Sequence, residues 1–282
     1  MFNRQIIMLL DKIVNHKIKE NAKQEAAMPL GILTSALSSL SKPRNFKSSI
    51  RQGNCINIIA EIKQASPIKG LLCADFDPVK LAESYRRGGA GAISVITEEH
   101  FFRGNPAYIA KVKKAVDLPV LRKDFLISEY QVYESRIIGA DAVLLITSIL
   151  DNYLLKRMIT LSANLGMTAL VEVHNKSELD KALSAGAKII GINNRNLKTF
   201  KVNLSTTLEL IDSIPADIPV ISESGITARA EIELLEQKGI KAVLIGEALV
   251  RSADQALLIQ ELRGKDRSGA GLTEKRVSRS CG

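Results

Sequence analysis

Five short segments of this chain end alike. Ala60-Glu61-Ile62-Lys63, Leu121-Arg122-Lys123-Asp124, Val171-Glu172-Val173, Ile192-Asn193-Asn194-Arg195 and Ser222-Glu223-Ser224-Gly225 each run from apolar residues into charged or amide side chains. In an extended segment residues two apart share a face, so Glu61 and Lys63 point the same way. Two lysines, three carboxylates, an amide and an arginine can do general acid–base work, passing protons to and from a reacting bond. One such residue would be a solvated rim side chain; five independent segments ending this way argue for a common site. Crowding the two lysines should depress at least one ammonium, since like charge and desolvation both disfavour it, leaving a general acid near neutral pH.

Two further segments could hold an anion. Ser224-Gly225-Ile226-Thr227 and Ile245-Gly246-Glu247-Ala248 place a glycine where backbone N–H groups can approach a phosphate, with a short helix to follow. Lys63 and Ser66, in Lys63-Gln64-Ala65-Ser66-Pro67, could complete the phosphate and carboxylate contacts. A phosphate grip opposite Lys and Glu pairs suits chemistry on a phosphosugar. On these residues alone lyase, isomerase and aldolase all remain open.

The elements that must position these groups repeat along the chain. Eight β-rich runs are expected at 56–63, 92–97, 119–123, 142–146, 168–173, 189–193, 219–222 and 242–245. Helix-length stretches separate them at 78–87, 108–116, 129–138, 151–165, 177–185, 205–213, 228–237 and 253–262. Asp77-Pro78, Ser128-Glu129 and Asp151 read as helix starts, and Gly89, Gly139, Gly186 and Gly239 as turns back into a strand. Alternating βα units imply a parallel sheet under helices, and eight in one run imply a closed (βα)8 barrel, with an open doubly wound sheet as the alternative. In such a barrel the site lies at the C-terminal strand ends, and the loops after strands seven and eight are its phosphate-binding place.

Residues 1–47 lie outside the repeat. Ile6, Leu10, Ile13 and Val14 recur at helical spacing with Asp11, Lys12 and Lys17 between them, which reads as an amphipathic helix over one mouth of the barrel. The expected division is therefore a helical extension at 1–47, a catalytic barrel at 48–262, and a basic, disordered tail at 263–282 rich in Gly, Ser, Lys and Arg.

Composition narrows the classes further. The chain has 282 residues and a net charge of +9. The excess sits in the ends, +5 in residues 1–47 and +4 in residues 263–282, leaving 48–262 neutral. A nucleic-acid-binding domain would carry it on a folded face. The longest apolar run near the start, Ile6 to Leu10, is five residues, too short for a signal-peptide core or a membrane helix. Cys55, Cys73 and Cys281 are an odd number at unrelated spacings, so neither disulfides nor a zinc site is expected, and Cys55 reads as a small core residue. His16, His100 and His174 lie in unrelated segments and read as surface or packing residues. The expected setting is a reducing cytoplasm, with a small-molecule substrate, no nucleic-acid or membrane partner, no metal and no cofactor.

At these residues the sequence resembles the indole-3-glycerol-phosphate synthase family. The likeness rests on the segments above together with Ser66-Pro67, Arg122-Lys123-Asp124-Phe125, Gly191-Ile192-Asn193-Asn194-Arg195-Asn196-Leu197 and Ile245-Gly246-Glu247-Ala248-Leu249, and runs from about residue 6 to 262. It implies a tryptophan-biosynthesis lyase that converts 1-(2-carboxyphenylamino)-1-deoxyribulose 5-phosphate to indole-3-glycerol phosphate, CO2 and water without a cofactor. It further implies Lys123 as general acid in ring closure, Glu172 and Glu61 as acid–base partners in dehydration, and Lys63 on the substrate carboxylate. Asn193, Arg195, Glu223 and Ser224 would orient the sugar hydroxyls; Ser66, Gly225, Gly246 and the Glu247 backbone would take the phosphate. Phe102 and Phe125 would line the pocket for the aromatic ring.

The chain departs from the family at Ala65, where many members carry a polar or basic residue, and in its basic tail, and no second barrel is expected. A monomer or weak homodimer fits this reading. Two other readings are the isomerase of the preceding step, which would need a cysteine and an aspartate where Glu61 and Glu172 stand, and a basic binding protein acting through its ends.

Overall fold

The computed structural model describes residues 2–51, 55–196 and 201–264, with side chains from Leu9 onward. Its strands are β1 (Asn57–Ile62), β2 (Ala65–Ser66), β3 (Gly70–Leu71), β4 (Ala92–Ile96), β5 (Val120–Lys123), β6 (Ala142–Ile146), β7 (Thr168–Val173), β8 (Ile190–Asn193), β9 (Val220–Glu223) and β10 (Ala242–Ile245). Eight of them close a barrel in the order β1-β10-β9-β8-β7-β6-β5-β4, every pair parallel. The chain is a (βα)8 barrel, not an open sheet.

The helices are α1 (Phe2–Ala27), α2 (Leu30–Ser35), α3 (Phe46–Ser49), α4 (Pro78–Gly88), α5 (Ala107–Ala115), α6 (Glu129–Ile137), α7 (Asn152–Asn164), α8 (Lys176–Ser184), α9 (Ser205–Leu210), α10 (Arg229–Gln237), α11 (Glu247–Arg251) and α12 (Gln255–Leu262). Asp77, Ser128 and Asp151 each accept a backbone N–H of the following first turn. Gly89 ends α4 at φ 87°, and Gly139, Gly186 and Gly239 also take positive φ, the conformation that a Cβ disfavours.

Alternation sorts the strand side chains into two cores. Ile58, Ala60, Ile62, Ile93, Val95, Val143, Ile190, Ile192 and Val243 face outward beneath the helices. Ile59, Leu121, Leu144, Leu170, Ile221 and Leu244 fill the barrel. Phe46, which opens α3, and Ile50, which ends it, are fully buried in this inner cluster with Ala92, Ala142 and Ala242 from the strand starts, so they plug the N-terminal end. Arg44 anchors that segment, its guanidinium donating to the carbonyls of Lys113, Val116 and Leu118.

Some elements differ from expectation. The β2–β3 hairpin follows β1 within the first loop, and strands of two residues leave no alternation to read. Cys55 is exposed, not a core residue, because the chain enters β1 only at Asn57. Lys17, a polar position between apolar ones in sequence, is buried. The segment read as a tail lies, from residue 265, outside the described residues, as do residues 197–200. Among the described residues no helix is long and apolar enough to cross a membrane.

Candidate active site

Strand register decides which side chains meet. Leu121 and Lys123 point inward from β5, Leu170 and Glu172 from β7, Ile221 and Glu223 from β9, because each pair is two residues apart. The inward apolar member fills the barrel, and the polar member emerges one layer higher, at the C-terminal mouth. There a cavity of about 420 Å³ opens, and every site candidate read from the sequence lines it: Glu61, Lys63, Ser66, Phe102, Lys123, Phe125, Glu172, Asn193, Arg195, Glu223, Ser224, Gly225, Gly246 and Glu247.

Lys123 is the hub. Its Nζ lies 3.6 Å from Glu223, 3.7 Å from Glu172 and 3.9 Å from Glu61, three carboxylates from three other strands. Burial alone would lower this ammonium, but Glu172, Glu223 and Glu61 together outweigh burial and hold it above the ordinary lysine range. The expected depression of a lysine by its crowded neighbour therefore does not hold for Lys123: the fold surrounds it with three carboxylates and leaves the second lysine on Glu61. Lys63 is 2.7 Å from Glu61 instead.

The carboxylates divide. Burial opposes ionisation of Glu61, but Lys63 and Lys123 overcome it and keep the group below the usual range. Glu172 is held down to about 2 against its burial by Lys123 and His174, with a hydrogen bond from Asn193. Glu223 goes the other way, pushed up to about 8 by burial and by the charges of Glu172 and Glu61, which outweigh Lys123. Glu61 has Lys63 and Glu172 has His174 beside Lys123, whereas Glu223 shares Lys123 alone and is the one that keeps its proton at neutral pH.

Backbone detail fixes the rims. Ser224 has φ 67° and Gly225 φ 82°, two successive left-handed residues that turn the chain sharply after β9. A non-glycine held there marks strain that the surroundings must over-determine. Asn194 does so. Its buried amide donates to Ser222 Oγ at 2.9 Å, Glu223 O at 3.0 Å and Ser224 O at 3.1 Å, while its oxygen accepts from the Thr207 N–H and hydroxyl. Asn193 Oδ1 accepts from the Arg195 N–H at 3.0 Å. Across the mouth Lys69 bridges the hairpin to Glu247 at 2.7 Å, and Ser66 Oγ accepts from the Lys69 N–H.

The apolar wall has its own support. Phe102 and Phe125 face one another with ring centroids 6.1 Å apart. Phe102 sits on a loop held by the buried Glu98 carboxylate, which accepts from the N–H groups of His100, Phe101 and Phe102. Leu9, Leu10 and Ile13 of α1 also line the cavity, so the extension covers this mouth. Lys17 of α1 reaches Asp124, the neighbour of Lys123, at 3.0 Å.

Sequence reasoning missed Glu98, Asn194, Lys17, Lys69 and His174. Asn194 stands inside the motif at 191–197, but alternation turns it away from the site face that Asn193 takes; Glu98, Lys17 and Lys69 belong to no motif. His174, read as a surface or packing residue, follows β7 and packs its side chain against Glu172 at the site. Alternation along β7 reaches Glu172 and says nothing of His174 beyond the strand end. Among the described residues no group of His, Cys, Asp and Glu is placed to hold a metal ion.

A family model described as indole-3-glycerol phosphate synthase matches residues 10–262. The chain belongs to the indole-3-glycerol phosphate synthase family. A relative so named from Alkaliphilus metalliredigens is 44% identical over 256 residues, covering 91% of this chain and 98% of its own. Another from Dehalococcoides mccartyi strain CBDB1 is 46% identical over 258 residues, covering 90% and 100%. Among solved structures, 3-hexulose-6-phosphate synthase from Salmonella typhimurium superposes with a TM-score of 0.61 at 13% identity, covering 74% of this chain and 97% of that one. N-acetylmannosamine-6-phosphate 2-epimerase from Clostridium perfringens gives 0.55 at 17%, covering 69% and 88%. At such identities those two share the barrel fold, and the family rests on the sequence relatives.

Proposed function

We propose that Lys123 is the general acid for indole ring closure at this mouth, with Glu172 and Glu61 as the acid–base partners in the dehydration that follows. The chain is an indole-3-glycerol-phosphate synthase, a carboxy-lyase of tryptophan biosynthesis. Its substrate is 1-(2-carboxyphenylamino)-1-deoxy-D-ribulose 5-phosphate. The observation that carries the residue assignment is the Lys123 ammonium ringed by Glu61, Glu172 and Glu223 in a cavity whose other wall is Phe102 and Phe125.

Phosphate on the backbone of Gly225, Gly246 and Glu247 and on Ser66, with the aromatic ring between Phe102 and Phe125, would stretch the substrate across Lys123. The ring carbon bearing the carboxylate attacks the ribulose carbonyl carbon, and the carbonyl oxygen takes the Lys123 proton. A lysine held charged suits this step, because its acceptor becomes strongly basic only as the new bond turns carbonyl into alkoxide. Positive charge then lies on the anilino nitrogen and closed ring. The bond to the carboxylate breaks, its electron pair restores the aromatic ring, and CO2 leaves.

Dehydration needs one proton given to the departing hydroxyl and one removed from the adjacent sugar carbon. Glu61 and Glu172 both lie below the usual carboxylate range. Glu172 takes the one proton from the carbon, and Glu61 is its acid–base partner, holding the Lys63 ammonium at the departing hydroxyl. Lys63, beside Glu61, holds the substrate carboxylate and supplies the proton to the hydroxyl. Asn193, Arg195, Ser224 and the protonated Glu223 orient the sugar hydroxyls. The enzyme works in the cytoplasm as a monomer or weak homodimer, without metal, cofactor, nucleic acid or membrane. The charge neutrality of residues 48–262 supports the absence of a nucleic-acid partner.

The test is the indole ultraviolet signal after mixing the protein with this substrate, beside Lys123→Ala. Signal from the wild type and near-absence in the variant is the expected result. Equal signal from both would remove Lys123 as the acid; none from folded wild type would return the site to other phosphosugar reactions.

A further inference from the structure

The side chain of His174 has no part in the scheme above, yet it is nine-tenths buried against it. Its Nδ1 is hydrogen-bonded to Glu178 Oε2 at 2.9 Å, and its Nε2 lies 3.2 Å from Glu172 Oε1, within ion-pair distance but off the hydrogen-bond direction. An ionised carboxylate can only accept, so Nδ1 carries the proton in that contact. The Nε2 contact is attractive only when the ring is charged.

The clamp is built by the helix that follows. Asn175 caps α8 by accepting the Glu178 N–H. Glu178 returns the contact, its Oε2 accepting the His174 backbone N–H at 2.9 Å and the ring Nδ1–H at 2.9 Å. Apart from the ring, the Glu178 carboxylate is held from two directions, by the His174 backbone N–H on Oε2 and by the Asn175 side-chain amide on Oε1. It fixes the ring in turn, so that Nε2 is presented to Glu172. Lys181, one turn further along α8, donates instead to the carbonyls of Thr147 and Leu150.

We propose that His174 is a positioning residue of this enzyme, a permanent imidazolium clamped between Glu178 and Glu172 that aims the Glu172 carboxylate at Lys123 and keeps it ionised through the cycle. The assignment rests on the role given to Glu172 above. With His174 on Oε1 and Lys123 on Oε2, Glu172 has one oxygen on each cation, and its plane is set. The charged groups facing the ring are Glu172 from β7 and Glu178 from α8, both acidic, while Glu223 of β9 stands across the mouth with its carboxyl raised. His174 is accordingly raised to about 10: burial opposes the charge, and the contacts with Glu172 and Glu178 overcome it.

Two measurements test this. Nitrogen-15 spectra of the histidine ring, with three histidines in the chain and His174→Gln to assign the signal, read the protonation of the wild-type ring directly. Both nitrogens should remain protonated through neutral pH. A ring that titrates near the ordinary histidine value of about 6.5 overturns the proposal. Second, the kcat–pH profile of His174→Gln should show its acid limb moved up by about one unit or more, as Glu172 loses a cation, with KM little changed. An acid limb left in place overturns the positioning role.

Glu178→Gln keeps the cap acceptor and leaves a cation beside Glu172 in acid. It should keep the acid limb while lowering the ring titration, and serves if His174→Gln fails to fold. An acid limb displaced as far in Glu178→Gln as in His174→Gln would overturn the proposal too. Failure of wild-type protein to form product would overturn the reading of Glu172, while the ring spectra report the clamp independently.

Discussion

A side chain at Gly246 would occupy the space that the Glu61 carboxylate fills: a Cβ built there meets Oε1, Cδ and Cβ of Glu61. Gly191 stands in the same relation to the carboxylate of Glu223. Two of the three acids around Lys123 therefore lie over glycines of neighbouring strand ends, and the absence of a side chain on one strand places a charge from another.

Gly246→Ala should consequently behave as a lesion of Glu61. Overpacking of this kind costs about 1–3 kcal/mol when the neighbour cannot move. Here a carboxylate at the edge of a cavity can move, so the expected result is a small loss of thermal stability and a fall in kcat of about 10-fold or more. Steady-state kinetics beside a melting curve separates the two; a large loss of Tm with normal kcat would show that Glu61 had stayed in place.

Lys123→Ala should lower kcat by about 10²–10⁴-fold, the usual worth of a positioned acid. It should also change the pH dependence of stability. Without the ammonium, Glu61, Glu172 and Glu223 become like charges in a buried cluster, and their protonated forms are favoured. Carboxyls raised above their unfolded values stabilise in acid and lose that contribution as pH rises. The variant's Tm should fall between mildly acidic and mildly alkaline pH more steeply than the wild type's. Parallel slopes would mean that the carboxylates do not depend on Lys123.

Asn194→Ala removes three donated and two accepted hydrogen bonds around the β9 turn. Leaving buried partners unsatisfied costs about 1–3 kcal/mol for each group that water cannot reach. The left-handed Ser224 then loses its support, so weaker binding of the sugar phosphate should accompany the lower Tm. A raised KM measured well below the melting point distinguishes misplacement from unfolding; an unchanged KM would free Ser224 from this role.

The barrel was legible because its signals are local and repeated. The β6, β7 and β10 ranges match the sequence-based ones residue for residue, and Asp77, Ser128 and Asp151 cap where their side chains suggest. Lys123 and Glu172 could be named because a strand end has a fixed address in this fold. What was not legible depends on contacts distant in sequence. Lys17 falls on the apolar stripe of its own helix, four residues after Ile13 and seven after Leu10, but the partner that lets a charge be buried there is Asp124, far along the chain. His174 stands outside the alternating run, and only the fold shows that its two nitrogens lie between two carboxylates. The direction of the Lys123 titration followed from counting carboxylates in space, which the linear order leaves open.

The wild-type protein should lose stability on the alkaline side of neutrality for two reasons that add. Glu223, at about 8 in the fold, binds a proton that the unfolded chain releases near pH 4.5, so its contribution fades as pH rises between those values. His174, at about 10 in the fold, has an unfolded value near 6.5. Its contribution is complete below that and is lost as pH climbs towards 10. Glu172 acts oppositely, but its stabilisation is lost only as pH falls from about 4.5 towards about 2. Melting temperatures should therefore decline steadily from weakly acidic to alkaline pH. In His174→Gln the part of the slope above pH 6.5 should flatten, since the group that releases its proton there is gone. An unaltered slope in that variant would place the alkaline loss elsewhere in the molecule.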